Sequence, residues 1–118
     1  MKIPDRIRIE HISEAISEIE SYVKGISEDD FVRNSLIRSA TVRQFEVIGE
    51  AVKAISEELQ VQYSEIPWRL WADFRNVLIH QYFGVDYAEV YKTIQNDMPN
   101  FKSQIEEILS ETIGESKE

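Results

Sequence analysis

Apolar residues recur along this chain at spacings of three and four. Ile9, Ile12, Ile16, Ile19 and Val23 fall on one stripe of a helix that turns about 100° per residue, and Gly25 follows as its end. Ser27-Glu28-Asp29-Asp30 reads as the cap of a short helix starting near Phe31. A long helix then carries Phe45, Ile48, Val52, Ile55 and Leu59. Val47, Ala51 and Ala54 widen its apolar surface, as expected of a helix that meets more than one neighbour, a second subunit among them. Pro67 fits the first turn of the next helix, where a missing N–H costs little, and Trp68, Leu70, Trp71, Phe74, Val77 and Leu78 continue it. Gly84 suits the left-handed position just past that helix. Asp86 would cap a helix built on Val90, Tyr91 and Ile94. Asp97 would cap a last one, with Pro99 in its first turn and Phe101, Ile105, Ile108 and Leu109 on its apolar face. After about Thr112 the apolar pattern stops, and residues 113–118 are expected to fray. Alternation with a period of two is nowhere sustained, so the fold class predicted is all-α.

Composition narrows this further. A chain of 118 residues, 42% hydrophobic with four Gly and three Pro, suits one globular domain spanning 1–118. There is no cysteine, hence no disulfide framework and no thiolate metal site. Neither a signal-peptide pattern nor an apolar run of membrane-spanning length is present, which leads to the expectation of a soluble cytoplasmic protein. The net charge of −9 argues against a general nucleic-acid binder, since neutralising phosphates drives such binding. The charge is uneven, however. Arg33, Arg38 and Arg43 lie in an acid-free stretch, while Glu106, Glu107, Glu111, Glu115 and Glu118 crowd the end. Those three arginines are candidates for guiding RNA, or equally a solvated helix surface.

The candidate chemistry sits in residues 73–82. Arg75 and His80 form an R-x-x-x-x-H pattern, with Asn76 beside the arginine and Tyr82 two residues past the histidine. A fixed cation, a proton shuttle and a phenol are the materials of metal-free phosphodiester chemistry. On one helix Asp73, Asn76 and His80 share a face, and Arg75 and Tyr82 share another. Arg75 and His80 diverge by roughly 140°. Either the helix distorts near His80, or a second copy supplies the missing partner. The chain has two histidines, and the other, His11, has no companion motif and reads as structural. Trp68, Trp71 and Phe74 read as core or interface rather than as a base-stacking platform. A metal site is not expected, since His80 and Asp73 alone are too few ligands. No glycine-rich phosphate loop or serine-nucleophile arrangement occurs, and no cofactor is expected.

Four blocks carry a resemblance. They are Ile48-Gly49-Glu50-Ala51, then Tyr63-Ser64-Glu65-Ile66-Pro67-Trp68, then Arg75-Asn76 through Asp86, then Asp97-Met98-Pro99. In this order they resemble the HepT-like ribonucleases among HEPN domains, over nearly the whole chain. The resemblance implies an antiparallel bundle of about five helices that forms a homodimer with a cleft at its interface. It implies an endoribonuclease toxin of a two-gene toxin–antitoxin module. Arg75 and His80 would be catalytic and Asn76 supporting. An MNT-type nucleotidyltransferase antitoxin would be the partner and would transfer AMP onto Tyr82. Asp73 departs from the small residue commoner at that position in the family. It would either raise the pKa of His80 through its charge or be an exposed acid. The alternative is a non-catalytic HEPN module that binds a nucleotidyltransferase or a nucleotide.

Overall fold

The computed structural model describes residues 1–79 and 86–116, and for 75–79 and 112–116 the backbone alone. Among these residues there are seven α-helices and no strand. They are α1 (Ile3–Val23), α2 (Glu28–Arg33), α3 (Ser35–Ala54), α4 (Glu57–Gln62), α5 (Trp68–Ile79), α6 (Tyr87–Asn96) and α7 (Met98–Ser116). Five of them run ten residues or more, and α2 and α4 have six each. The all-α expectation holds: five long helices, the short α2 expected near Phe31, and one further short helix, α4.

Helix α1 carries proline in its first turn and buries Ile9, Ile12, Ile16 and Ile19 almost completely. Gly25 follows it at φ 73°, a left-handed conformation that costs glycine nothing. Ser27 then caps α2 by accepting the Asp30 N–H at 3.1 Å, so this helix starts at Glu28, three residues ahead of Phe31. Asn34 closes α2 and opens α3. Its N–H donates to the Asp30 and Phe31 carbonyls, and its Oδ1 accepts the Ile37 N–H at 3.0 Å. One residue thus turns the chain between two helices.

The structure corrects the long-helix reading through Leu59. Helix α3 ends at Ala54, and Leu59 lies on the separate α4. The cause is a contact across 51 residues of sequence. The Asp5 carboxylate, buried in the first turn of α1, accepts the Ser56 N–H at 2.9 Å and the Ser56 hydroxyl at 2.6 Å. Ser56 in turn caps α4, its Oγ accepting the Leu59 N–H at 3.2 Å. Gln60 donates to the Ile55 carbonyl at 3.2 Å and to the Val52 carbonyl at 3.4 Å, which also accepts the Ile55 N–H at the end of α3. Ile55 and Leu59 remain buried, so the apolar period survives although the helix does not.

Helix α3 is the spine. It runs antiparallel to α1, as Ser56 meets Asp5 at one end and Gln44 meets the Tyr22 hydroxyl at the other. It also runs antiparallel to α5, as Phe45 packs on Phe74 and Gly49 lies against Trp71 and Ala72. Helix α7 lies along α1, where Lys102 pairs with Glu20 at 2.9 Å. That hydrogen bond and charge hold the Lys102 ammonium above its ordinary pKa. Helix α6 is tied to the turn before α2 by the Tyr91 hydroxyl, which donates to the Ile26 carbonyl at 2.7 Å, and to α2 itself by the Phe31–Tyr91 ring contact. Asp86 caps α6 as expected, accepting the Glu89 N–H. Asp97 joins α6 to α7 through its backbone, donating to the Thr93 carbonyl and accepting from the Phe101 N–H. Helix α7 continues to Ser116, past the end of the apolar pattern.

Candidate functional site

The motif-bearing helix α5 is anchored by aromatic packing. The Trp71 ring stacks on Phe101 with centroids 4.4 Å apart and lies parallel to Phe45 at 6.5 Å. Phe74 packs on Phe45 at 4.5 Å and on Trp71 at 6.2 Å. Both anchors are buried, and Trp68 is buried one turn earlier, its indole N–H donating to the Tyr63 carbonyl at 3.1 Å. Pro67 stands immediately before α5, and its carbonyl accepts the Leu70 N–H. These rings are core, as their spacing predicts.

Gly49 sets how close α5 comes to α3. A Cβ built there would lie 3.3 Å from the Ala72 carbonyl oxygen and 3.5 Å from that of Trp71. The two backbones cross where any larger side chain would push α5 away. Sequence reasoning attached no physical role to this glycine. The available signal was a glycine inside an otherwise strong helical pattern, which marks a close approach.

Arg75 follows Phe74 directly, so its backbone sits in the anchored stretch of α5. Arg75 and Asn76 are helical, and α5 continues to Ile79; their side chains lie outside what the structure describes. His80, Tyr82 and Gly84 lie outside the described residues altogether. Asp73 is exposed on α5.

The three arginines proposed from the sequence do not share one environment. Arg33 ends α2 in a solvated pair with Asp29 at 3.3 Å. Arg38 is engaged within the fold. Its guanidinium donates to the Val32 carbonyl and lies 4.6 Å from the centre of the Tyr87 ring, joining α3 to α2 and α6. Arg43 is exposed and pairs with Glu46 at 3.5 Å. His11 is also exposed. With Arg8, Val47, Glu50, Ala51 and Ala54 it lines a shallow cavity of about 280 Å³ between α1 and α3. Among the described residues no group of three or more His, Cys, Asp or Glu could hold a metal ion. None of their helices is long and apolar enough to cross a membrane.

Comparison with known proteins adds the following. A family model described as "Ribonuclease HepT-like" matches residues 12–108. A protein of Caldanaerobacter subterraneus subsp. tengcongensis that carries a provisional RNase name is 42% identical over 109 residues, covering 92% of this chain and 96% of the relative. The "Probable ribonuclease HepT" of Thermococcus cleftensis is 39% identical over 108 residues, covering 92% and 98%. A Methanocaldococcus jannaschii protein, named for gamma-glutamylcyclotransferase together with a provisional RNase, is 39% identical over 106 residues. The chain spans about half of that relative, 48% of its length. No solved structure matches.

Proposed function

Since the chain belongs to the HepT-like ribonuclease family, we propose that it is a metal-independent endoribonuclease whose site joins Arg75 and His80 across a homodimer. The observation that carries this reading is the placement of Arg75. It directly follows a helix segment locked by Trp71, Phe74 and the Gly49 crossing. A phosphate-binding cation works best when its backbone does not have to be ordered at the moment of reaction.

The chemistry follows from the residue types. The ribose 2′-oxygen attacks the adjacent phosphorus, and one imidazole takes its proton. The bond from phosphorus to the 5′-oxygen breaks, and a protonated imidazole gives that oxygen its proton. The products are a 2′,3′-cyclic phosphate and a 5′-hydroxyl. Arg75 stabilises charge on the non-bridging oxygens, for which a permanently charged guanidinium with paired donors is suited. Asn76 orients His80 or hydrogen-bonds the RNA. Each chain brings one motif histidine, and a two-fold dimer brings the two that acid and base require. Arg33 and Arg43, both exposed, are available to guide RNA, whereas Arg38 is occupied within the bundle.

The test is cleavage of RNA by purified protein in excess EDTA. Cleavage should persist, products should end in a 2′,3′-cyclic phosphate or its hydrolysis product, and a 2′-O-methyl at the scissile position should block it. Activity lost in EDTA and regained with Mg²⁺ would overturn the mechanism. The net charge of −9 favours a second reading, a non-catalytic module that binds a nucleotidyltransferase or a nucleotide. A folded dimer that cuts no RNA under any of these conditions would select it.

Regulation in this reading belongs to Tyr82, with the chain as the toxin of a two-gene module. The phenol oxygen attacks the α-phosphate of ATP on an MNT-type nucleotidyltransferase antitoxin; pyrophosphate leaves, and the phenol loses its proton. On a continuous helix Tyr82 lies on the same face as Arg75, so the new phosphodiester would put a negative charge and a bulky nucleoside beside the arginine. Co-expression with the nucleotidyltransferase should give AMP-sized mass additions mapped to Tyr82, with cleavage lost. A Tyr82→Phe chain should keep cleavage and escape modification. If it folds but cuts nothing, the tyrosine belongs to the catalytic machinery instead.

A further inference from the structure

The close crossing at Gly49 also places the backbone of Arg75. The Trp71 carbonyl oxygen, 3.5 Å from a Cβ built on Gly49, is the one that an α-helix pairs with the N–H of residue 75. The Ala72 oxygen, at 3.3 Å, belongs to the residue three before Arg75. Residues three and four apart are neighbours on a helix surface, so position 75 stands one turn on from the crossing, on the flank of α5 that meets α3. Two carboxylates flank Gly49 on α3, Glu46 three residues before it and Glu50 directly after it. Glu46 pairs with Arg43 at 3.5 Å. Glu50 is exposed, at the rim of the cavity between α1 and α3.

We propose that Glu50 is the positioning residue for Arg75 of the same chain, its carboxylate pairing with the guanidinium and fixing it for the scissile phosphate. Helix direction separates the two acids. A helical Cα–Cβ bond tilts toward the N-terminus of its own helix. Because α3 and α5 run antiparallel, this tilt carries position 75 back toward the level of Gly49. It carries Glu50 the opposite way along the pair, toward the same level. It carries Glu46 away from that level and toward Arg43, its partner in the structure. Glu50 is the acid whose tilt converges with that of position 75.

An acid beside a phosphate site is otherwise a cost, since it repels the RNA backbone. Paired with the guanidinium it has a use. Arginine presents five N–H donors in a fixed plane. A carboxylate that takes two of them leaves the remaining edge for phosphate oxygens. The pair also removes rotamer freedom from a long side chain before RNA arrives rather than at the moment of reaction. The inference rests on the reading of Arg75 as the phosphate-binding group. Arg8 lines the same cavity as Glu50 and is the rival cation.

The test compares Glu50→Gln, Arg8→Gln and Arg75→Ala in the full chain, with helicity checked by circular dichroism. Glu50→Gln should lower kcat by roughly 10²-fold, the scale of a misplaced reacting group. Its KM, and its affinity for RNA blocked by 2′-O-methyl groups, should hold within about twofold or improve, because a negative charge is lost. On an Arg75→Ala background the same change should cost less than about threefold, since the group it positions is gone. Arg8→Gln should leave kcat unchanged. The Arg75 Nε–H signal in the NMR spectrum, identified by its absence from Arg75→Lys, should shift in Glu50→Gln and stay in place in Arg8→Gln; this readout needs no cleavage. An equal loss on both backgrounds, a loss carried wholly by KM, an unmoved Nε–H signal, or a matching loss in Arg8→Gln overturns the pairing. Full activity in Glu50→Gln beside lost activity in Arg75→Ala overturns it and leaves Arg75 in the mechanism. An Arg75→Ala chain that cleaves like wild type overturns the mechanism itself, and the role of Glu50 with it.

Discussion

Replacing His80 or Arg75 by alanine is expected to lower RNA cleavage by about 10³-fold, with helicity unchanged. The magnitude follows from what each group supplies. A positioned acid or base contributes roughly 10²–10⁴-fold. A donor that stabilises charge on the reacting phosphate contributes roughly 10²–10³-fold. Helicity should survive because the packing that holds α5 runs through Trp68, Trp71 and Phe74, which neither change touches. His11→Ala is the control, since His11 is exposed on α1 and belongs to no motif. If one site takes different residues from the two chains, mixing inactive Arg75→Ala and His80→Ala proteins should recover part of the activity. Cleavage by His80→Ala within tenfold of wild type would remove the histidine from the mechanism.

Trp71→Ala should be the most damaging single change to the fold, costing about 3–5 kcal/mol in urea unfolding. The indole is buried and in ring contact with Phe45, Phe74 and Phe101, so it couples α3, α5 and α7 at one point. Its removal leaves a void that three helices cannot close without sliding. Trp71→Phe should cost far less, below about 1.5 kcal/mol. The Trp71 indole N–H is buried without a hydrogen-bond partner among the described residues, so phenylalanine forfeits area and no bond. If Trp71→Ala unfolds within 1 kcal/mol of wild type, roughly the cost of an ordinary surface change, the aromatic stack is not what holds α5. Activity of the alanine variant measured well below its unfolding midpoint reports how far the placement of Arg75 depends on the stack.

The parts of this protein legible in its sequence are those governed by neighbours one or two turns away. Apolar spacing of three and four named most of the buried residues of α1, α3, α5, α6 and α7, because residues so spaced share a helix side whatever packs against them, although Leu70 on α5 and Ala54 on α3 prove exposed. Ser27 and Asp86 were legible as caps because a cap reaches only two or three residues along the chain. The R-x-x-x-x-H pattern could be read only as a candidate, because its residue types suit phosphodiester chemistry and the blocks around it resemble one family. The tertiary structure decided what depends on residues far apart. The apolar period runs unbroken through Ile55 to Leu59, yet α3 stops where Asp5, 51 residues earlier in the chain, takes the Ser56 N–H and hydroxyl. Arg38 reads like its neighbours Arg33 and Arg43 until the bundle folds Tyr87 beneath its guanidinium. Gly49 is a weak point in a helix until α5 crosses it so closely that a Cβ would press on a carbonyl oxygen. A pattern within one helix is set by the geometry of that helix; a contact between helices exists only once both surfaces have been brought together.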